Sequence, residues 1–303
     1  MKSGIDLLNQ ITKKKRGQAD LLRYLRDHDI DLHDKLKHCG SWLLLREWIQ
    51  SGEMRLRNAN FCKRHTACES CAVRRGARLA QRAHEKILEV LKEFSNLIPV
   101  HCVLTIKNTD EVEAGIVQLK TALSKMTAQR RKSLTNPERN GTIEWCKVAG
   151  GVKAIEVTNK GNGWHPHAHH LLLCESYLDL HKLSEEFQRF GGGKIVWAEK
   201  VGNGEQDLTG ALLEVLKYPT KFSGLSPENL LQFHDGAKGS RLTDTFGNLR
   251  GVNIGDIDMD DCEGLEGPWR DWIAQWHYQQ MRFTLRDADA PLIIKKPKKV
   301  ETK

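Results

Sequence analysis

The spacing of hydrophobic and polar positions predicts a chain that mixes helices with short strands. Residues 1–38 are charged and helix-forming, with the periodic stretch LLRYLRDHDIDLHDKL. A further helix is expected to run from Arg74-Arg75 to about residue 94. Residues 99–106 (PVHCVLTI) are apolar and β-branched and read as a strand. Over 111–132, Val112, Ile116, Leu119, Leu123 and Met126 share one helical stripe, the pattern of core packing. After a loop at 133–141, a long strand is expected over about 143–158, bent or bulged at Gly150-Gly151. It ends in Asn159-Lys160-Gly161-Asn162-Gly163, residues that tolerate positive φ and suit a hairpin turn into another strand. Next come a helix at 177–190, a Gly191-Gly192-Gly193 turn, a strand at 194–200 and a helix at 207–221 that Pro219 should end or kink. Residues 223–262 read as loops with short elements. Trp269, Trp272, Trp276 and Tyr278 lie near helical spacing, so 264–286 is expected to be a helix, and 291–303 a basic tail. These shifts divide the chain into 1–95, 96–255 and 256–303.

Composition narrows the class. The chain has 303 residues, 39% hydrophobic and 28% charged, which suits a globular protein with a sizeable core. No run of 18 apolar residues occurs and the first residues lack an apolar leader, so a cytoplasmic protein with no membrane partner is expected. Forty-seven Lys and Arg against 39 Asp and Glu leave a net +8, which favours a polyanionic partner such as nucleic acid.

Two stretches carry the candidate chemistry. In Gly163-Trp164-His165-Pro166-His167-Ala168-His169-His170, a strand places His165, His167 and His169 on one face and His170 on the other. Alternating imidazoles running into an apolar strand make a metal ligand set. The preceding turn folds Glu156 back across from them, where a cation would neutralise a carboxylate otherwise costly to bury. Of the eight cysteines, Cys39, Cys62, Cys68 and Cys71 lie close in sequence. Cys68-x-x-Cys71 has the spacing of one edge of a zinc tetrahedron. Cys39, Cys62 and His65 complete five candidates for four positions. On the predicted helix at 207–221, Glu214 and Tyr218 lie four apart and share a face.

The order strand, helix, strand with Glu156, histidine strand, helix, strand, tyrosine helix resembles an HUH endonuclease domain. Within that superfamily the chain resembles the bacterial plasmid rolling-circle replication initiators of the single-tyrosine type. The resemblance rests on Val103-Leu104-Thr105-Ile106, Trp164-His165-Pro166-His167-Ala168-His169 and Glu214-Val-Leu-Lys217-Tyr218-x-x-Lys221. It rests also on the cysteines with Arg74-Arg75, and spans about 39–250. It implies an α+β fold, with a central antiparallel ferredoxin- or RRM-like sheet, flanking helices and an N-terminal zinc-binding helical region. It further implies Mg²⁺ or Mn²⁺ held by His167, His169 and Glu156, with His165 as an alternative ligand, polarising the scissile phosphate. Tyr218 would attack that phosphate and keep the 5′ end, leaving a free 3′-OH. Lys217 or Lys221 would offset charge, and Glu214 would activate the water that terminates the cycle. Origin DNA, as duplex and as single strand or hairpin, would be the substrate, with a host helicase and polymerase as partners. Two rival readings are an HUH relaxase or single-strand transposase, and a non-catalytic zinc protein that binds DNA.

Overall fold

The computed structural model describes residues 4–202, 204–216, 219–251 and 267–289. Along the chain, the first elements are α1 (Gly4–Gly17), α2 (Ala19–His28), α3 (Ile30–His38), β1 (Trp42–Trp48), β2 (Met54–Ala59), α4 (Glu69–Glu93) and β3 (Ile98–Thr105). They are followed by α5 (Val112–Thr135), α6 (Pro137–Asn140), β4 (Val148–Asn159), β5 (Trp164–Cys174), α7 (Leu180–Arg189) and β6 (Val196–Lys200). Last come α8 (Glu205–Leu216), α9 (Pro227–Gly236), β7 (Thr243–Gly247), β8 (Trp269–His277) and β9 (Arg282–Asp287). The described residues are α+β with two antiparallel sheets, in strand order β2-β1-β8-β9 and β6-β3-β5-β4-β7. They fall into two compact units, one built on each sheet.

The larger unit takes in Ala19–Leu36 and the described residues from 63 to 251. The β4–β5 hairpin lies at the middle of its sheet, joined by a turn in which Gly161 and Gly163 adopt φ of +93° and +92°. The bend expected at Gly150-Gly151 is a register shift between Val148 and Gly150. On one sheet face, Leu79, Ala83 and Ile87 of α4 and Leu208, Leu212 and Leu216 of α8 pack with Val152, Ala154, Leu171 and Leu173. Fully burying each such leucine contributes roughly 1.5–3 kcal/mol. Helix α5 crosses the other face, buries the expected stripe and comes so close at Gly115 that an added Cβ would meet Pro166 Cγ at 2.7 Å.

The smaller unit takes in the described residues up to Gln18, Lys37–Cys62 and 267–289. Here the expected C-terminal helix is overturned: Trp269–His277 and Arg282–Asp287 are two strands of a hairpin. The tryptophan spacing that suggested a helix instead sets aromatic side chains along an antiparallel strand. Trp272 Nε1 donates to Glu47 at 2.7 Å, and Trp276 packs edge-on to Phe283. Aromatic and β-branched residues favour a pleated, half-buried surface once partner strands are present. Those partners, β1 and β2, lie in a stretch with no predicted strand. Their Leu43, Leu45 and Leu56 form a core with Leu8, Ile11 and Ala274. The basic tail expected at 291–303 lies outside the described residues.

One polar contact ties β8 to β1 and β2. Asp271 receives two hydrogen bonds from Arg46, at 2.8 and 3.0 Å, and one from Arg57 Nη1 at 2.8 Å. The Arg46 hydrogen bond is the main cause holding the Asp271 carboxyl below its ordinary pKa, although burial opposes it. A depressed carboxylate stabilises the fold above its unfolded pKa, and that contribution fades as pH falls through the folded value. Asp271→Ala removes the carboxylate that Arg46 and Arg57 share. It should cost about 2–4 kcal/mol, below the roughly 3–5 kcal/mol of a fully buried pair because Arg57 keeps partial access to water. Denaturant unfolding followed by tryptophan fluorescence measures this, and a change under about 0.5 kcal/mol, the size of an ordinary surface substitution, would contradict it.

Candidate functional site

The pleat of β5 sorts the histidines as the alternation predicted. His165, His167 and His169 are half-buried and alternate with buried Pro166, Ala168 and His170. The rings of His165 and His167 are 4.3 Å apart between centroids, and those of His167 and His169 are 6.1 Å apart. His170 stays on the α5 side against Trp145 and Phe246, where burial above all lowers its pKa to about 3. It is therefore neutral and separate from the other three.

Antiparallel pairing sets Glu156 opposite His167. Its carboxyl, 8% exposed, has Oε2 3.2 Å from His169 Nε2, while Oε1 is buried with no hydrogen-bond partner. Burial pushes Glu156 up, but the His169 hydrogen bond and the His169, His167 and Lys221 charges outweigh it, so the net direction is down. Burial, followed by repulsion from His165, pulls His167 down to about 4 despite Glu156. For His165, burial and then Lys160 act in the same direction. A neutral imidazole has a lone pair to give, and a carboxylate held ionised completes a charged ligand set. Glu156 Oε1 and His169 Nδ1 are both buried without a hydrogen-bond partner, and a carboxylate with imidazoles is a donor set that a divalent cation accepts. His167 Nε2 lies 3.1 Å from Thr158 Oγ1. Thr158 was not foreseen, although its position two residues beyond Glu156 on one strand gave the signal.

The end of α8 approaches the same strand. The described part of α8 ends at Leu216, and 219–221 are not helical, against the helix expected to run to 221. Lys217 and Tyr218 lie outside the described residues. Directly after them, Val157 N donates to Pro219 O at 2.9 Å, and Thr220 Oγ1 donates to Val157 O at 2.7 Å. The chain on the far side of Tyr218 is thus fixed one residue from Glu156. Lys221 is close enough for its charge to act on both Glu156 and His167. Glu214 is exposed near the end of α8 and takes part in an interaction within the protein.

Cys39 and Cys62 belong to the smaller unit and Cys68 and Cys71 to the larger, and a set of four cysteines such as this could hold a metal such as zinc. Cys62 N donates to Cys39 Sγ at 3.3 Å. Cys68 caps the N-terminus of α4 and Cys71 sits in its first turn, where the helix dipole favours thiolate. His65 is not in the group of four. It lines a cavity of about 130 Å³ with Arg75, Leu216 and Pro219, and burial first, then Arg75, lowers its pKa. Arg74, Arg75, Arg78 and Arg82 each take part in an interaction within the protein. Among the described residues, no helix is long and apolar enough to cross a membrane.

Comparison with known proteins finds a likeness to replication proteins, in agreement with part of the resemblance read from the motifs. Residues 53–183 match the family described as "Replication protein". That span contains Cys62, Cys68, Cys71, Glu156 and the histidine strand, and stops before α8. The chain is also 28% identical over 231 residues to "Protein rep" of Streptococcus pneumoniae serotype 2 (strain D39 / NCTC 7466). The alignment covers 70% of this chain and 66% of that relative. No solved structure matches.

Zinc analysis of the purified protein by mass spectrometry should give about one ion per chain, and Cys68→Ser should bring it close to zero. His65→Ala should leave the ratio unchanged. Equal zinc in wild type and Cys68→Ser would contradict the assignment.

Proposed function

From its kinship with replication proteins, we propose that this chain is a rolling-circle initiator that nicks and rejoins one DNA strand. The fold we assign to its larger unit is that of an HUH nicking domain. What carries this reading is one juxtaposition: Glu156, His167 and His169 share a sheet face, and the residues after Tyr218 are hydrogen-bonded to Val157 beside them. A nucleophile at 218 and a cation at the histidines could therefore serve one phosphate.

In this account His167, His169 and Glu156, with His165 at the margin, hold Mg²⁺ or Mn²⁺. When bound, that ion supplies Lewis-acid polarisation of the scissile phosphate. Tyr218 provides the nucleophile. Its phenolic oxygen forms a bond to phosphorus, the bond from phosphorus to the 3′ oxygen breaks, and the phenol proton leaves to solvent. The product is a 5′-phosphotyrosine and, once the 3′ oxygen takes a proton, a free 3′-OH for a polymerase. Because tyrosine's ordinary pKa is about 10, the phosphate has to be made the better electrophile. Lys217 and Lys221 offset charge on the phosphate oxygens. Glu214, four residues before Tyr218 in the sequence, accepts a proton from the water that later breaks the phosphotyrosine bond. The substrates are duplex origin DNA and its single-stranded or hairpin form, handled with a helicase and a polymerase of the host. The cysteine cluster holds structural Zn²⁺ by the same reading.

Single-stranded DNA carrying a candidate origin, incubated with the protein and Mn²⁺, should give a covalent adduct on a denaturing gel. Tyr218→Phe should reduce that adduct to background. Glu214→Ala should nick at close to the wild-type rate yet accumulate adduct, because only termination is lost. Cleavage by Tyr218→Phe at the wild-type rate would overturn the role of Tyr218, and equal loss of nicking and termination in Glu214→Ala would overturn that of Glu214.

A further inference from the structure

The sheet of the larger unit has a second concave site on the face turned away from His165, His167 and His169. His170 lines it, and neighbouring residues of a strand point to opposite faces. The cavity measures about 580 Å³, within the roughly 300–1,000 Å³ usual for small-molecule sites. Lys120 and Arg131 of α5, Lys153 of β4, Arg241 before β7 and Arg250 after it all line the cavity, against one carboxylate, Asp244. Asp244 is already engaged by Arg241, at 3.1 Å, and by Lys153, at 3.7 Å. Lys120, Arg131 and Arg250 make no salt bridge among the described residues, so the lining has cations to spare.

We propose that this cavity is an anion site that holds the phosphate of a nucleotide unit. Several cations converging on one concavity repel one another, and a multiply charged anion relieves that repulsion where a single carboxylate would not. Lys153 registers the repulsion: burial, opposed by Asp244 and reinforced by Lys120 and Arg241, holds its ammonium below the ordinary lysine pKa. The hydroxyls of Ser124 and Thr127 add donors beside the arginines, whose planar forks suit phosphate oxygens. Trp145, also in the wall and 2% exposed, keeps its indole Nε1 buried with no hydrogen-bond acceptor. Phe246, half-buried, offers an apolar surface for a base or sugar. The site owes nothing to His165, His167, His169 or Tyr218, so it stands whether or not the chain nicks DNA. The phosphate could come from a free nucleotide or from a single DNA strand, and the two sources are separable.

The full chain, with no divalent cation added, would be titrated by calorimetry with inorganic pyrophosphate, thymidine 5′-monophosphate and a short oligo(dT). Lys120→Ala/Arg131→Ala removes two lining charges from α5. Lys125→Ala/Lys132→Ala removes the same charge from exposed positions of that helix outside the cavity. Wild type and the second variant should bind alike, and the first should lose at least roughly tenfold in affinity. That loss seen with pyrophosphate and the mononucleotide identifies a free nucleotide as the ligand; seen with the oligonucleotide alone, it identifies a DNA strand. Equal losses in both variants, or no binding of any probe below millimolar concentration, would overturn the proposal.

Discussion

The register of the β4–β5 hairpin is the constraint on which the site depends. Because Glu156 pairs with His167 and Ala154 with His169, one carboxylate and three imidazoles share a face. A slip of one residue would turn His165, His167 and His169 into the α5 side and bring His170 out in their place. Both ends of the hairpin resist that slip. At the turn, Gly161 and Gly163 adopt left-handed backbone and the bridge between Thr109 and Trp164 holds the start of β5. At the other end, the shift between Val148 and Gly150 fits the strand to its neighbour, and Leu171 and Leu173 are locked beneath α4 and α8. The cost of burying Glu156 is accepted within this register, offset by His169 and by the charges of His167 and Lys221.

The two candidate metal sites differ in ways that follow from their donors. Cysteine thiolates are soft ligands that suit zinc. The histidine face offers imidazoles and one carboxylate at a half-buried surface, a harder set. The chain after residue 218 is fixed next to it.

Much of the larger unit was legible in the sequence because its patterns are local. The histidine alternation, the glycine turn and the stripe on α5 each declare themselves within a dozen or two residues, and the structure has them as expected. Glu156 could be paired with the histidines because a short hairpin nearly fixes its own register. The smaller unit was not legible. Its sheet joins β1 and β2 to β8 and β9 across more than 200 residues, and in isolation Trp269, Trp272 and Trp276 satisfy a helical period as well as a strand. Only the partners decide, through the Arg46–Asp271 and Glu47–Trp272 contacts, which no local pattern announces. His65 could not be separated from the cysteines by spacing alone, since four of the five candidates are enough for a tetrahedral site.

The central claim is that the histidine face and residue 218 act on one phosphate. The most direct measurement is the identity of the side chain that carries DNA after cleavage. The adduct would be formed with Mn²⁺ on single-stranded origin DNA, digested with protease and nuclease, and sequenced by mass spectrometry. A nucleotide-modified peptide with the phosphate on Tyr218 is the predicted result. The same modification on Tyr24, Tyr177 or Tyr278, or cleavage with no protein-linked nucleotide, would contradict the account.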